Sequence, residues 1–192
     1  MTDCDYTWME TYSGRAFDLR APDTRAIVPM DIAHGLAMQC RFNGQCRRFY
    51  SVAEHCIHVA NLLAAEGHHC TVQLYGLLHD AEEAYMGDLT SPLKAALPEA
   101  RAIGANIRTA VRVALGLPAI LPEQAQADIR RADAVLLATE AKALMASGGL
   151  GWQLPEEASD RIALRFWGPA QAEQRYLERL IALPTAPVRS TA

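Results

Sequence analysis

No apolar run in this chain approaches the roughly 18 residues needed to cross a bilayer, so a membrane span is not expected. There is no Cys-x-x-Cys pair, and the five cysteines (Cys4, Cys40, Cys46, Cys56, Cys70) are odd in number. That pattern argues against a disulfide framework or a cysteine-rich zinc site and fits a reducing compartment. Positive charge is not in excess: the net charge is −4 and the pI about 5.8, which argues against a nucleic-acid partner. The stretch Met1-Thr2-Asp3-Cys4-Asp5 is acidic and has no apolar core of signal-peptide length. A cytoplasmic location is therefore expected. Internal repeats and low-complexity segments are also missing.

What is present is an ordinary globular composition, 51% apolar and 21% charged over 192 residues. That length suits one domain, residues 1–192, with a full-sized core. The punctuation is that of helices. A short one is expected from Asp31 to Met38, followed by a turn at Asn43-Gly44. Ser51 and Glu54 form a capping-box pattern that opens a helix through Ala65, stopped by Gly67. Thr71 caps a helix that runs past His79 to Gly87. Pro98 and Gly116 bracket another, Pro122 opens a long one to Met145, and Pro169 opens the last, to Leu183. The tail Pro184-Thr185-Ala186-Pro187 is read as frayed. At the other end, Ala16–Leu19 and Arg25–Val28 flank Ala21-Pro22-Asp23-Thr24 and read as two short strands. The expected fold is an all-α bundle of five to six main helices with a small N-terminal β-hairpin.

The chemistry concentrates in Leu77-Leu78-His79-Asp80-Ala81-Glu82-Glu83. In a helix, His79 and Glu83 are four apart and Asp80 and Glu83 three apart, which puts imidazole and carboxylates on one face. A further His on a separate helix, His55, and an Asp on a third, Asp133, complete a set able to hold a divalent ion. Imidazole with carboxylate suits Mn, Co, Fe, Ni or Zn better than Ca. Such an ion lowers the pKa of water and polarises phosphoryl oxygen. Convergence across 24 residues (His55 to His79) and 53 (Asp80 to Asp133) has to come from tertiary structure.

The elements Ala53-Glu54-His55, His79-Asp80-Ala81-Glu82-Glu83, Gly87-Asp88-Leu89-Thr90-Ser91-Pro92-Leu93-Lys94 and Ala132-Asp133-Ala134 resemble the HD-domain metal-dependent phosphohydrolases. Within them the chain is most similar to the YfbR-type 5′-deoxynucleotidases, with the phage dATP triphosphohydrolases as relatives. The resemblance covers residues 30–145. It implies an all-helical fold with the metal on His55, His79, Asp80 and Asp133. It also implies that Glu83 is the carboxylate that handles water and that Asp88 lies near the sugar and the attacking water. Arg41-Phe42 resembles the family's Arg-aromatic pair, with Arg41 on phosphate and Lys94 a further candidate phosphate contact. The segments Asp31-Ile32-Ala33-His34 and Arg41-Phe42-Asn43-Gly44-Gln45 depart from that branch.

The expected activity is removal of the 5′-phosphate from deoxynucleoside monophosphates. The alternative is a deoxynucleoside triphosphate triphosphohydrolase, for which the extra donors Asn43, Gln45, Arg47 and Arg48 speak, with Mg a candidate ion on a polyphosphate. A nucleotide-sensing module without turnover is the non-enzymatic alternative. No Gly-Tyr-Pro element follows, as a cyclic-dinucleotide phosphodiesterase would carry. Glu82-Glu83 stands where a guanosine-tetraphosphate hydrolase would show Glu-Asp. Glu82 is expected to be solvated, Trp152 and Trp167 to be packing residues, and His58 to be structural or exposed. The partners expected are a nucleotide and further copies of the chain, as a dimer or higher.

Overall fold

The computed structural model describes residues 7–183; residues 1–6 and the tail from Pro184, with the readings made on them, lie outside it. The described residues form eight α-helices: α1 (Pro29–Met38), α2 (Val52–Ala65), α3 (Cys70–Leu77), α4 (Glu83–Met86), α5 (Ser91–Ala96), α6 (Pro98–Ala114), α7 (Glu123–Leu144) and α8 (Pro169–Ala182). The chain is thus mostly helical, with one two-stranded antiparallel sheet, β1 (Trp8–Glu10) and β2 (Ala16–Asp18). None of these helices is long and apolar enough to cross a membrane.

The sheet differs from the sequence reading. Ala16–Asp18 pairs backwards in sequence with Trp8–Glu10, placing Met9 opposite Phe17, and not forwards with Arg25–Val28. Asp23 explains why. Its carboxylate accepts from the Arg25 backbone N–H at 2.9 Å, and this local bond coils Thr24–Ala26 into a single 3₁₀ turn. Phe17 anchors the hairpin to the body by stacking on Tyr85, ring centroids 4.0 Å apart.

Helix α2 is the centre of the bundle and packs on α1, α3, α7 and α8. Every residue from Val52 to Ile57 is buried, so the polar groups in that run need internal partners. Close approach depends on small residues: a Cβ on Gly35 would sit 2.7 Å from the Ala84 carbonyl oxygen and 2.9 Å from its Cα, so glycine lets α1 lie this near α4.

The main departure is at α3. It stops at Leu77, and His79-Asp80 falls in a run of turns before α4 begins at Glu83. No Gly or Pro between Leu78 and Met86 signals a break. One distant and one local side chain make it by taking helix carbonyls. The Tyr176 hydroxyl of α8 donates to the Leu77 carbonyl at 2.9 Å, and His79 Nδ1 donates to the Gly76 carbonyl at 2.8 Å. Residues 81, 83 and 84 then bond three residues back, the tighter 3₁₀-like spacing.

Candidate metal centre and cavity

His55 reaches the centre from α2. Ser51 caps that helix, its hydroxyl accepting from the Glu54 N–H at 3.1 Å, but the expected capping box is only half made. Instead of turning back to Ser51, the Glu54 carboxylate accepts the backbone N–H groups of Arg165, Phe166 and Trp167 at 2.6, 2.9 and 2.8 Å. The segment before α8 is thereby tied to the residue next to His55.

The break after α3 turns His79 toward His55, and their Nε2 atoms are 3.3 Å apart. Asp80 Oδ2 lies 3.1 Å from His79 Nε2 and 3.8 Å from His55 Nε2. From α7, Asp133 Oδ1 lies 3.1 Å from His55 Nε2 and 3.8 Å from His79 Nε2. All four candidate ligands from the sequence converge; among the described residues His55, His79 and Asp80 form one group close enough to hold a metal ion, and Asp80 with Glu82 and Glu83 forms another.

The rings are held from behind. His55 Nδ1 is 2.7 Å from Glu140 Oε1 and His79 Nδ1 faces the Gly76 carbonyl. In their neutral forms both rings therefore carry the proton on Nδ1 and a lone pair on Nε2. Two lone pairs facing each other at 3.3 Å repel unless positive charge lies between them. The donor set fits a divalent ion on this ground. Its electrostatics agree. Burial disfavours charge on His79, yet Asp80 and Asp133 hold its pKa well above the ordinary value. Burial likewise works against the Asp80 and Asp133 carboxylates, but the histidines keep both well below the carboxylate range. A metal ion would take the place of a proton here.

Glu140 was not found in the sequence. It is fully buried and bonds His55 through Oε1 and Arg41 Nε through Oε2, the latter at 3.0 Å. The signal was its position seven residues, two helical turns, after Asp133 on the same face. Arg41 is buried, its NH1 3.7 Å from Asp80 Oδ2. Burial opposes its charge, and Glu140 with Asp80 holds it firmly protonated.

Above the centre lies a cavity of about 640 Å³. Its polar lining includes Arg41, Asp80, Glu83, Asp88, Lys94 and Asp133, and its apolar lining Phe42, Leu137, Met145, Trp152 and Leu154. Glu83 Oε1 pairs with Lys94 at 2.6 Å, while Glu83 Oε2 and Asp88 Oδ2 are buried without a hydrogen-bond partner. Burial, reinforced by the Asp80 charge, pushes the Glu83 carboxyl up to about 9.

Other readings shift. Glu82 is buried, not solvated: it turns to α6 and pairs with Arg108, where Gly104 leaves it room. Trp152 is more than a packing residue, since it lines the cavity. Trp167 does pack, stacked on His58. Away from the centre, His34 stacks on Tyr12 and meets Glu173 at 2.9 Å. Arg47 and Arg48 do not line the cavity. Arg47 reaches the Ala146 carbonyl, and Arg48 lies over the Phe166 ring, 4.1 Å from its centroid.

No family model matches the chain. Two curated proteins do. The uncharacterized protein YfdR of Escherichia coli K12 is 31% identical over 175 residues, 90% of this chain and 93% of its own length. An uncharacterized protein of Rhodobacter capsulatus is 40% identical over 140 residues, 70% of this chain and 71% of its own. The chain belongs to the YfdR family. Neither relative's name states a ligand or an activity.

Proposed function

We propose that this chain is an HD-type, divalent-metal-dependent phosphohydrolase that removes the 5′-phosphate from deoxynucleoside monophosphates. The observation that carries the reading is the facing pair of His55 and His79 Nε2 atoms, flanked by Asp80 and Asp133, at the foot of a cavity lined by Arg41 and Lys94. A bound Mn, Co, Fe, Ni or Zn ion would be held by those four residues and would supply Lewis acidity toward a phosphoryl oxygen and water.

The chain's own groups divide the remaining work. Arg41, fixed by Glu140, offers its outer nitrogens to the phosphate and offsets the charge that builds there. Lys94 can pass from Glu83 to a second phosphate oxygen. Glu83 Oε2 and Asp88 Oδ2 have no protein partner and both orient water; Asp88 is the acceptor for its proton, since burial holds Glu83 protonated at neutral pH. The apolar lining around Trp152 excludes water from the organic part of the substrate and gives a flat base a surface to stack on.

The charge of the cavity favours a monophosphate over the triphosphate alternative. With Arg47 and Arg48 engaged elsewhere, the cations lining it are Arg41 and Lys94, too few for three phosphates. A panel of nucleoside mono-, di- and triphosphates with Mn or Co added, read by chromatography, tests the proposal. Inorganic phosphate from a deoxynucleoside monophosphate is expected. Intact triphosphate from a dNTP would establish the alternative activity, and binding without any product would leave a nucleotide sensor. Glu83→Ala should keep the metal and lose on the order of 10²–10⁴-fold in rate.

A further inference from the structure

Cys40 and Cys46 bracket the loop that carries Arg41, and their sulfur atoms lie 3.5 Å apart. The backbone between them explains the meeting. Phe42 and Asn43 are left-handed at φ 58° and 52°, followed by Gly44 at 73°, so the chain doubles back within a few residues. Both ends are pinned: the Arg41 N–H donates to the Tyr50 carbonyl at 2.9 Å, and the Arg47 N–H to the Leu144 carbonyl at 3.0 Å. Both thiols are half-buried. A disulfide is about 2 Å long, so a small closure joins them without unfolding the loop. Among the described residues the other cysteines lie apart, Cys56 buried within α2 and Cys70 beside His69 at the start of α3.

We propose that Cys40 and Cys46 are a site of reversible oxidation, forming an intramolecular disulfide that closes the Arg41 loop into a ring. Hydrogen peroxide serves as the oxidant. Both S–H bonds and the O–O bond break, one S–S bond forms, the sulfurs lose two electrons to the peroxide oxygens, and the thiol hydrogens leave in two waters. A dithiol reverses it. Such a bond, with the other cysteines among the described residues unpaired, is the redox-sensing type rather than the structural type. Closure withdraws Cys46 Sγ from the carbonyls of Arg48 and Arg41, at 3.0 and 3.7 Å. It therefore moves Phe42 and Gln45, which lie in the ring and line the cavity. Arg41 stays tied to Glu140 from the other side. Oxidation accordingly alters substrate fit and leaves the ligand cluster intact; this consequence rests on the phosphohydrolase reading, whereas the bond itself does not.

The experiment treats the full chain with hydrogen peroxide, blocks free thiols, and maps peptides by mass spectrometry. A Cys40–Cys46 linked peptide is expected in the wild type and in Cys56→Ser, removed by dithiothreitol and absent from Cys40→Ser and Cys46→Ser. Stable sulfinic acid at either residue, or links to Cys56, Cys70 or a second chain in place of this one, would overturn the proposal. On a deoxynucleoside monophosphate, oxidation should raise KM severalfold with metal content unchanged, an effect missing from Cys46→Ser. A linked peptide with unchanged KM would remove the effect on fit. A linked peptide in a protein that turns over no nucleotide would sink the phosphohydrolase reading and leave the oxidation site standing.

Discussion

At the foot of the cavity His55, His79 and Arg41 are each fixed by a further partner, Glu140 or a helix carbonyl. Around its rim, Phe42 and Trp152 hang from segments of irregular backbone, with left-handed residues at Phe42, Asn43, Gly149, Gly151 and Gln153. The two regions respond differently to change. A substitution at the foot strands a buried charge or an unpaired donor, which is strongly destabilising. One at the rim removes a surface that a substrate touches but the fold does not need. Chemistry set at the foot and selectivity set at the rim is the division this contrast teaches, and substitutions can break it.

The largest effect is expected of His79→Ala, which should lose metal and turnover together. Elemental analysis decides, and normal occupancy in that variant would move the ion off this cluster. Glu140→Gln keeps the shape of the supporting group but not its charge, and should cost roughly 10–100-fold in metal affinity, the usual scale for an outer partner. Glu140→Ala goes further. It removes the fully buried carboxylate that Arg41 and His55 share, and urea titration should show a loss of about 3–5 kcal/mol.

A middling loss is expected where the foot is tied to the segment before α8. Glu54→Ala leaves three backbone N–H groups without their acceptor, and unsatisfied groups cost about 1–3 kcal/mol each when buried. Because that segment is partly exposed, a total near the lower end is expected from the same titration. An unchanged midpoint would mean water replaces the carboxylate.

The rim should behave in the opposite way. Trp152 is 39% exposed, so Trp152→Ala should change stability by no more than about 0.5 kcal/mol while raising KM and leaving metal content alone. A kcat loss with KM unchanged would contradict a purely positioning surface. The smallest effect belongs to Arg47→Ala, expected to be neutral on a monophosphate in both stability and KM. A defect confined to triphosphates would bring the polyphosphate alternative back.

Helix ends marked by their own residues are legible in the sequence: Pro98 and Gly116 around α6, Ser51 at the start of α2, Pro169 at the start of α8. Each is a local matter of a fixed φ, a missing N–H or a short side chain reaching its own backbone. The hairpin is misplaced by such reading because a strand's partner is a non-local choice, and the Asp23 turn competes for the segment expected to supply it. The ligand types are readable as well, since imidazole and carboxylate are written in the sequence. Their geometry is not, because the helix expected through His79 and Asp80 is broken by Tyr176, nearly a hundred residues away.

The sequence by itself determined the helical class, the positions of most helix starts and stops, and the inventory of groups able to hold an ion. Tertiary structure alone decided that His55 and His79 face each other, that Glu140 stands behind His55, that Glu82 turns away to Arg108, and that Trp152 rather than Arg47 or Arg48 joins the cavity. The physical reason is the range of the forces involved. Propensity, caps and turns act over a few residues, whereas a buried charge takes its partner from whichever helix packing brings within hydrogen-bond reach.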